Sequence, residues 1–192
     1  MTKSFRFALL FSSIVLLIAC EQNYTPKPKG YIRIDLPEKE YLRYDSLQNY
    51  VFEYPVYAEV VTQIFTADEA DWINIEFPEF KGSLHISYKP VEHNLSQYVE
   101  DSRNMLMQHL LKASGINDSL IINHEKRIFG LMYQISGKGA ASPVQFYLTD
   151  STNHFLRGAL YFNIRPNNDS LSPVIDFLKQ DIRQFIHSLK WK

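Results

Sequence analysis

Eight stretches rich in β-branched and aromatic residues fall into two groups of four, and each group is followed by one segment with the three-and-four spacing of a helix. The first group is YVFEYP (50–55), YAEVVTQIF (57–65), WINIEFP (72–78) and SLHISYKP (83–90); the second is SLIINHEKRI (119–128), GLMYQISG (130–137), PVQFYLTDS (143–151) and HFLRGALYFNI (154–164). Alternation sends successive side chains to opposite faces of a strand, so each segment has one face to hide. Turn signals at Asn117-Asp118, Gly137 to Gly139 and Asp150 to Asn153 follow one another closely enough to make the second group an antiparallel meander, and Lys81-Gly82 serves the first group in the same way. Strict βα alternation, the mark of a parallel sheet, is not written here. The order strands, helix, strands, helix therefore predicts an α+β fold, a mostly antiparallel sheet covered by two main helices.

The first helix is expected from Asn94 to Gly115, with Asn94 and Gln97 at capping-box spacing and Leu95, Tyr98, Val99, Met105, Leu106, Leu110 and Ala113 on its apolar face. Ser172-Pro173 opens the second, whose apolar face is Val174, Leu178, Ile182, Phe185 and Leu189. A shorter alternation precedes both groups. Ile32, Ile34 and Leu36 fall on one side and Tyr31, Arg33 and Asp35 on the other, closed by Pro37. Residues 38–49 are mixed and charged, and read as loop or a short helical turn. By analogy, the order of elements is similar to the Mog1/PsbP-like fold.

The N-terminus follows another plan. Lys3 and Arg6 are basic, Phe7 to Ile18 is nearly all apolar, and small Ala19 stands before Cys20, the layout of a secretory signal. The apolar run is about 12 residues, short of the ~20 that a membrane-spanning helix needs. Leu17-Ile18-Ala19-Cys20 resembles the bacterial lipoprotein box, in which the cysteine is lipidated and becomes the first mature residue. Residues 1–19 are then a removed signal, 20–30 a lipidated cysteine and short tether, and 31–192 a single α+β domain. The alternatives for Cys20 are a chance cysteine after an ordinary signal, or a free thiol. It is the chain's single cysteine, so no intramolecular disulfide is possible, and an exported thiol left unmodified would be reactive.

Removing the leader takes Lys3 and Arg6 with it and leaves 18 basic residues against 21 acidic, a formal charge of −3. That balance excludes the basic footprint of a nucleic-acid partner. The remaining 173 residues are close to the size of one domain.

Motifs for chemistry are sparse. Six histidines (His85, His93, His109, His124, His154 and His187) are scattered with no HExxH pair, so no metal site is expected. Asp150, Ser151 and His154 in TDSTNHF sit too close together for a triad assembled from separate elements, and read as a turn bonding its own backbone. GKGAAS (137–142) lacks phosphate-loop spacing and reads as a hairpin loop. No cofactor is called for. The candidate interaction surface is Tyr31, Arg33 and Asp35 on one strand face, with Arg157, which interrupts an apolar strand and reads either as a paired structural arginine or as an interface residue.

YTPKPKGYIRIDLP (24–37), FEYPVYA (52–58), SPVQFYLTDSTNHFLRGALYFN (142–163) and PNNDSLSPVIDFL (166–178), behind a lipoprotein box, resemble the gliding-motility lipoprotein GldD family of Bacteroidetes. The resemblance implies a cell-envelope lipoprotein, acyl-anchored (palmitate) to a bacterial membrane, needed for gliding and associated with type IX protein secretion. Its partners would be other envelope proteins of that machinery. It brings no catalytic residue or cofactor, and only the lipidated Cys20 carries over as a site. The expected role is non-enzymatic assembly or stabilisation. The alternatives are a periplasmic small-ligand binder or hydrolase acting on envelope material, and a purely structural lipoprotein.

Overall fold

The computed structural model describes residues 34–62, 71–108 and 112–192. Among the described residues, ten strands and two α-helices lie within the compact unit Asp35–Lys192. The strands are β1 (Tyr41–Tyr44), β2 (Tyr50–Pro55), β3 (Glu59–Thr62), β4 (Ile73–Phe77), β5 (Gly82–Pro90), β6 (Gly115–Asn123), β7 (Ile128–Ser136), β8 (Val144–Thr149), β9 (His154–Phe162) and β10 (Lys190–Trp191); the helices are α1 (Leu95–Met107) and α2 (Asn168–Ser188). The fold is α+β, and all its strand pairs are antiparallel. Seven strands form one sheet in the order β3-β4-β5-β9-β8-β7-β6, and β1-β2-β10 form a small one.

Period-two alternation gives the large sheet two unlike faces. Leu84, Ile86, Phe146, Leu148, Leu156 and Leu160 point inward, where Phe185 of α2 meets Phe146 at 5.9 Å and Phe52 of β2 at 4.8 Å between ring centres. α2 and the small sheet thus close one face, and burial of these side chains is the main stabilising term, about 1.5–3 kcal/mol for each large apolar side chain. Gly158 lies directly opposite Phe146 in the β8–β9 register, and a Cβ there would stand 2.2 Å from that ring. The glycine in "RGAL" is therefore the space that the phenylalanine occupies.

On the outer face, Tyr98 of α1 meets Phe155 at 5.4 Å, and Leu106 packs with Ile135 and Ala140. The helix lies across the sheet on its 98, 102 and 106 positions, one turn apart. That corrects the expected face: Leu106 is buried, but Met105 is 42% exposed and Ser102 is buried in its place. Leu110 lies outside the described residues.

Several boundaries also differ. The helix expected to reach Gly115 ends at Met107, and Gly115 opens β6, because Ser114 already donates to the Ser136 carbonyl and starts the ladder with β7. β6 in turn stops at Asn123 rather than running to residue 128, since Asn123 Oδ1 accepts from the Lys126 N–H in a tight turn with Arg127 at φ 51°. Asn94 precedes α1 but makes no capping bond; its Oδ1 accepts from the Glu92 N–H and its Nδ2 donates to the Tyr98 hydroxyl. α2 begins at Asn168, ahead of the expected Ser172, because the Asn167 carbonyl takes the N–H groups of Ser170 and Leu171; Pro173 sits inside and forgoes one helix bond. Residues 41–44, read as loop, form β1 by pairing with β2, with Leu42 and Arg43 exposed. β3 is four residues long, Glu59–Thr62, and the end of its expected range lies outside the described residues.

Candidate functional site

Three polar constellations stand out against this frame. The first is built around Arg157 on the outer face, flanked by Ser87 of β5 and Tyr147 of β8 in register. Its guanidinium donates to Gln145 Oε1 at 2.7 Å. Burial pulls its pKa down while Tyr161 pulls it back up, and a guanidinium starting from such a high value stays charged at neutral pH. Gln145 is 2% exposed and its Nε2 has no hydrogen-bond partner, a group whose desolvation costs about 1–3 kcal/mol. His85, an edge-on neighbour of Tyr161 at 5.4 Å, extends this patch to the exposed side of β5. Asp35 is exposed at the start of the compact unit, whereas Cys20, Tyr31 and Arg33 lie outside the described residues.

The second is a cleft of about 440 Å³ where the β6–β7 turn, the β8–β9 turn and β10 converge, with Arg127, Asp150, His154 and Trp191 among its walls. His154 stacks on Trp191 at 4.9 Å with the planes 4° apart, and its Nδ1 lies 2.9 Å from the Tyr88 hydroxyl. Burial holds the imidazole below its usual pKa, against the pull of Asp150. The Asp150 carboxylate is occupied locally: Oδ1 accepts the N–H groups of Thr152, Asn153 and His154, and Oδ2 the Thr152 hydroxyl. Burial works against its charge, but those bonds outweigh it and keep the carboxyl well below the usual range. Asp150 thus reaches His154 through the backbone N–H, as an Asx turn does, and "TDSTNH" is the turn its spacing predicts.

The third had no local signal. Lys39, in the segment leading to β1, places Nζ 2.7 Å from both carboxylate oxygens of Asp181 on α2, 2.7 Å from the Tyr57 hydroxyl and 3.1 Å from the centre of the Phe177 ring. Tyr57 and Tyr41 donate to the same carboxylate at 2.5 and 3.0 Å. Asp181 is 3% exposed. Burial lowers the ammonium pKa against the pull of Asp181, and burial together with the same carboxylate raises both phenols. This is a clamp between the entry of the compact unit and its central helix, joining residues 142 positions apart.

Among the described residues no group of three His, Cys, Asp or Glu side chains is placed to hold a metal ion, and no helix is long and apolar enough to cross a membrane.

The solution structure of cyanobacterial PsbP (CyanoP) from Synechocystis sp. PCC 6803 is similar over 84% of this chain and 98% of that one, at 9% identity and a TM-score of 0.48. No curated protein sequence matches the chain. The family described as gliding motility lipoprotein GldD matches residues 21–191, nearly the whole length, and the chain belongs to that family.

Proposed function

We propose that the chain is held at a bacterial membrane by a lipid on Cys20 and serves gliding motility, with its associated type IX protein secretion, as a non-enzymatic assembly or stabilising factor. The family membership supports the gliding-motility part of this reading. The way the polar groups are committed supports the molecular role. Asp150 is bound within its own turn, Asp181 is bound by Lys39 and two tyrosines, and Arg157 is bound by Gln145. A catalytic site keeps an acid, a base or a nucleophile facing a space where a substrate fits. Here Asp150 and Asp181 are committed to the fold, and exposed side chains are left for contact with other envelope proteins.

The reading is tested by crosslinking the tagged lipoprotein in cells and identifying the captured envelope proteins, with Cys20→Ala as control. Motility or secretion components are expected with the native chain and are lost with the variant. Capture of nothing specific from well-expressed protein overturns the assembly role. The 440 Å³ cleft with its neutral His154 and aromatic wall favours a second reading, a small-ligand binder or hydrolase acting on envelope material. Hydrolytic activity of the purified protein that His154→Gln abolishes would replace the first reading with this one.

A further inference from the structure

Among the described residues, the two edges of the large sheet are β3 and β6. β3 is described over four residues, Glu59–Thr62, with one charge, Glu59. β6 has nine residues, GINDSLIIN, with no proline or lysine and a single charge, Asp118. Leu120 and Ile122 stand 68% and 55% exposed on its outer side. An edge this long and this apolar is a template for another strand.

The inner side of the same edge gives that strand somewhere to put its side chains. A groove of about 300 Å³ runs between β6 and α2, walled by Ile121, Ile128, Met132 and Ile186, with Arg183 and His187 among its polar lining. Arg183 is exposed, and no hydrogen bond or ion pair engages it among the described residues. No carboxylate lines the groove; Asp176, earlier on the same helix, is already paired with Lys179 at 2.6 Å. Lys126, from the β6–β7 turn, donates to the His187 carbonyl and adds a second cation beside this end of the helix.

We infer that β6 receives an extended segment of another envelope protein, which adds as an eighth strand, sets alternate apolar side chains into the groove, and places a carboxylate against Arg183. The inference rests on the proposed role as an assembly factor and names the surface that role uses. Backbone bonds to β6 supply affinity in this mode, and the alternating side chains supply specificity. Charge selects the partner: a free guanidinium at the lip of a groove whose walls are part apolar and part polar, with no carboxylate among them, favours an acidic strand and disfavours a basic one.

The probe is the acetylated, amidated peptide Thr-Val-Thr-Val-Thr-Glu-Thr-Val-Thr, whose even positions face the groove, added to the full-length chain in detergent. Amide exchange should slow on its addition at those residues of 115–123 whose N–H groups point away from β7. Replacing the peptide's glutamate by lysine, or Arg183→Glu in the protein, should weaken binding at least tenfold. Protection elsewhere in the molecule, or equal binding of the lysine peptide, overturns the inference. So does peptide-free protection of the β6 amides that point away from β7, whether it rises with protein concentration, as for a second copy, or disappears on deleting residues 21–33, as for the chain's own tether. The cellular crosslinking separates this from the proposed role: partners captured equally by native chain and Arg183→Glu sink the groove and leave the assembly role standing, whereas no capture by the native chain sinks both.

Discussion

The two helices cover opposite faces of one sheet to very different depths. α2 buries Val174, Ile175, Phe177, Leu178, Asp181, Ile182 and Phe185, while α1 buries only Ser102 and Leu106. The inner layer is where large aromatic and branched side chains interlock, and it also holds the clamp from Lys39 to Asp181. The outer layer is a helix resting on a few points, beside a sheet surface that keeps Arg157, His85 and the exposed residues of β6. Stability is thus concentrated on one side of the sheet, which leaves the other side free to present adaptable surface without unfolding the domain.

The largest effect that would break this contrast comes from the inner side. Phe185→Ala removes the ring shared by Phe52 and Phe146 and leaves a cavity in a site that is 1% exposed. The expected loss is about 3–5 kcal/mol, a large share of the ~5–15 kcal/mol that holds a domain of this size together. Urea unfolding followed by tryptophan fluorescence measures it. A loss below about 1 kcal/mol would mean that α2 is not the anchor.

Leu106→Ala is the matching cut on the outer side. Leu106 is 5% exposed, and among the described residues its buried cluster holds Ile135 and Ala140 besides, with Ala113, Ile116 and Tyr133 partly buried around it. The expected loss is about 2 kcal/mol, at the low end for a buried leucine because a lightly packed site relaxes. Amide exchange should speed up in α1 and stay unchanged in β2 and α2. If β2 and α2 open together with α1, the two layers are one cooperative unit and the contrast fails.

The sequence made the inner layer legible and the outer layer only partly so, for a physical reason. Inward residues obey a period because a continuous core enforces it, so β2, β5, β8, β9 and the stripe of α2 could be read from Phe52, Ile86, Phe146, Leu156 and Leu178. α1 covers less surface, its buried face is diluted by Ser102, and apolar Met105 faces water. β1 and β10 are held by β2 rather than by their own pattern, and two residues such as Lys190 and Trp191 carry no period at all. The Lys39–Asp181 clamp is invisible in principle to local reading: each partner is an ordinary charged residue until the fold brings them together. The turn at Asp150 was readable because its bonds span only two to four residues.

The smallest effect, and the finest test of the contrast, uses one depressed histidine from each face. His154 lies at the inner end of β9 against Tyr88 and Trp191, and His85 stands on the outer side of β5 beside Tyr161. Burial is the main cause of the lowered pKa in both, opposed by Asp150 for His154 and by Glu76 for His85. The unfolded chain protonates each near pH 6.5, above the folded value, so the unfolded state binds more protons in between. The stabilising contribution is therefore full above about pH 6.5 and is lost as pH falls from there through the folded pKa. Asp150 adds its own loss only in more acid solution, below about pH 4, because its folded pKa lies under the ordinary carboxylate value. Unfolding midpoints measured from pH 7 to pH 5 should fall for the native chain. His154→Gln should flatten that slope more than His85→Gln, because the His154 ring is held between two aromatic partners and the domain must open further to charge it. A steeper contribution from His85 would place the tighter packing on the outer face and reverse the assignment of the two layers.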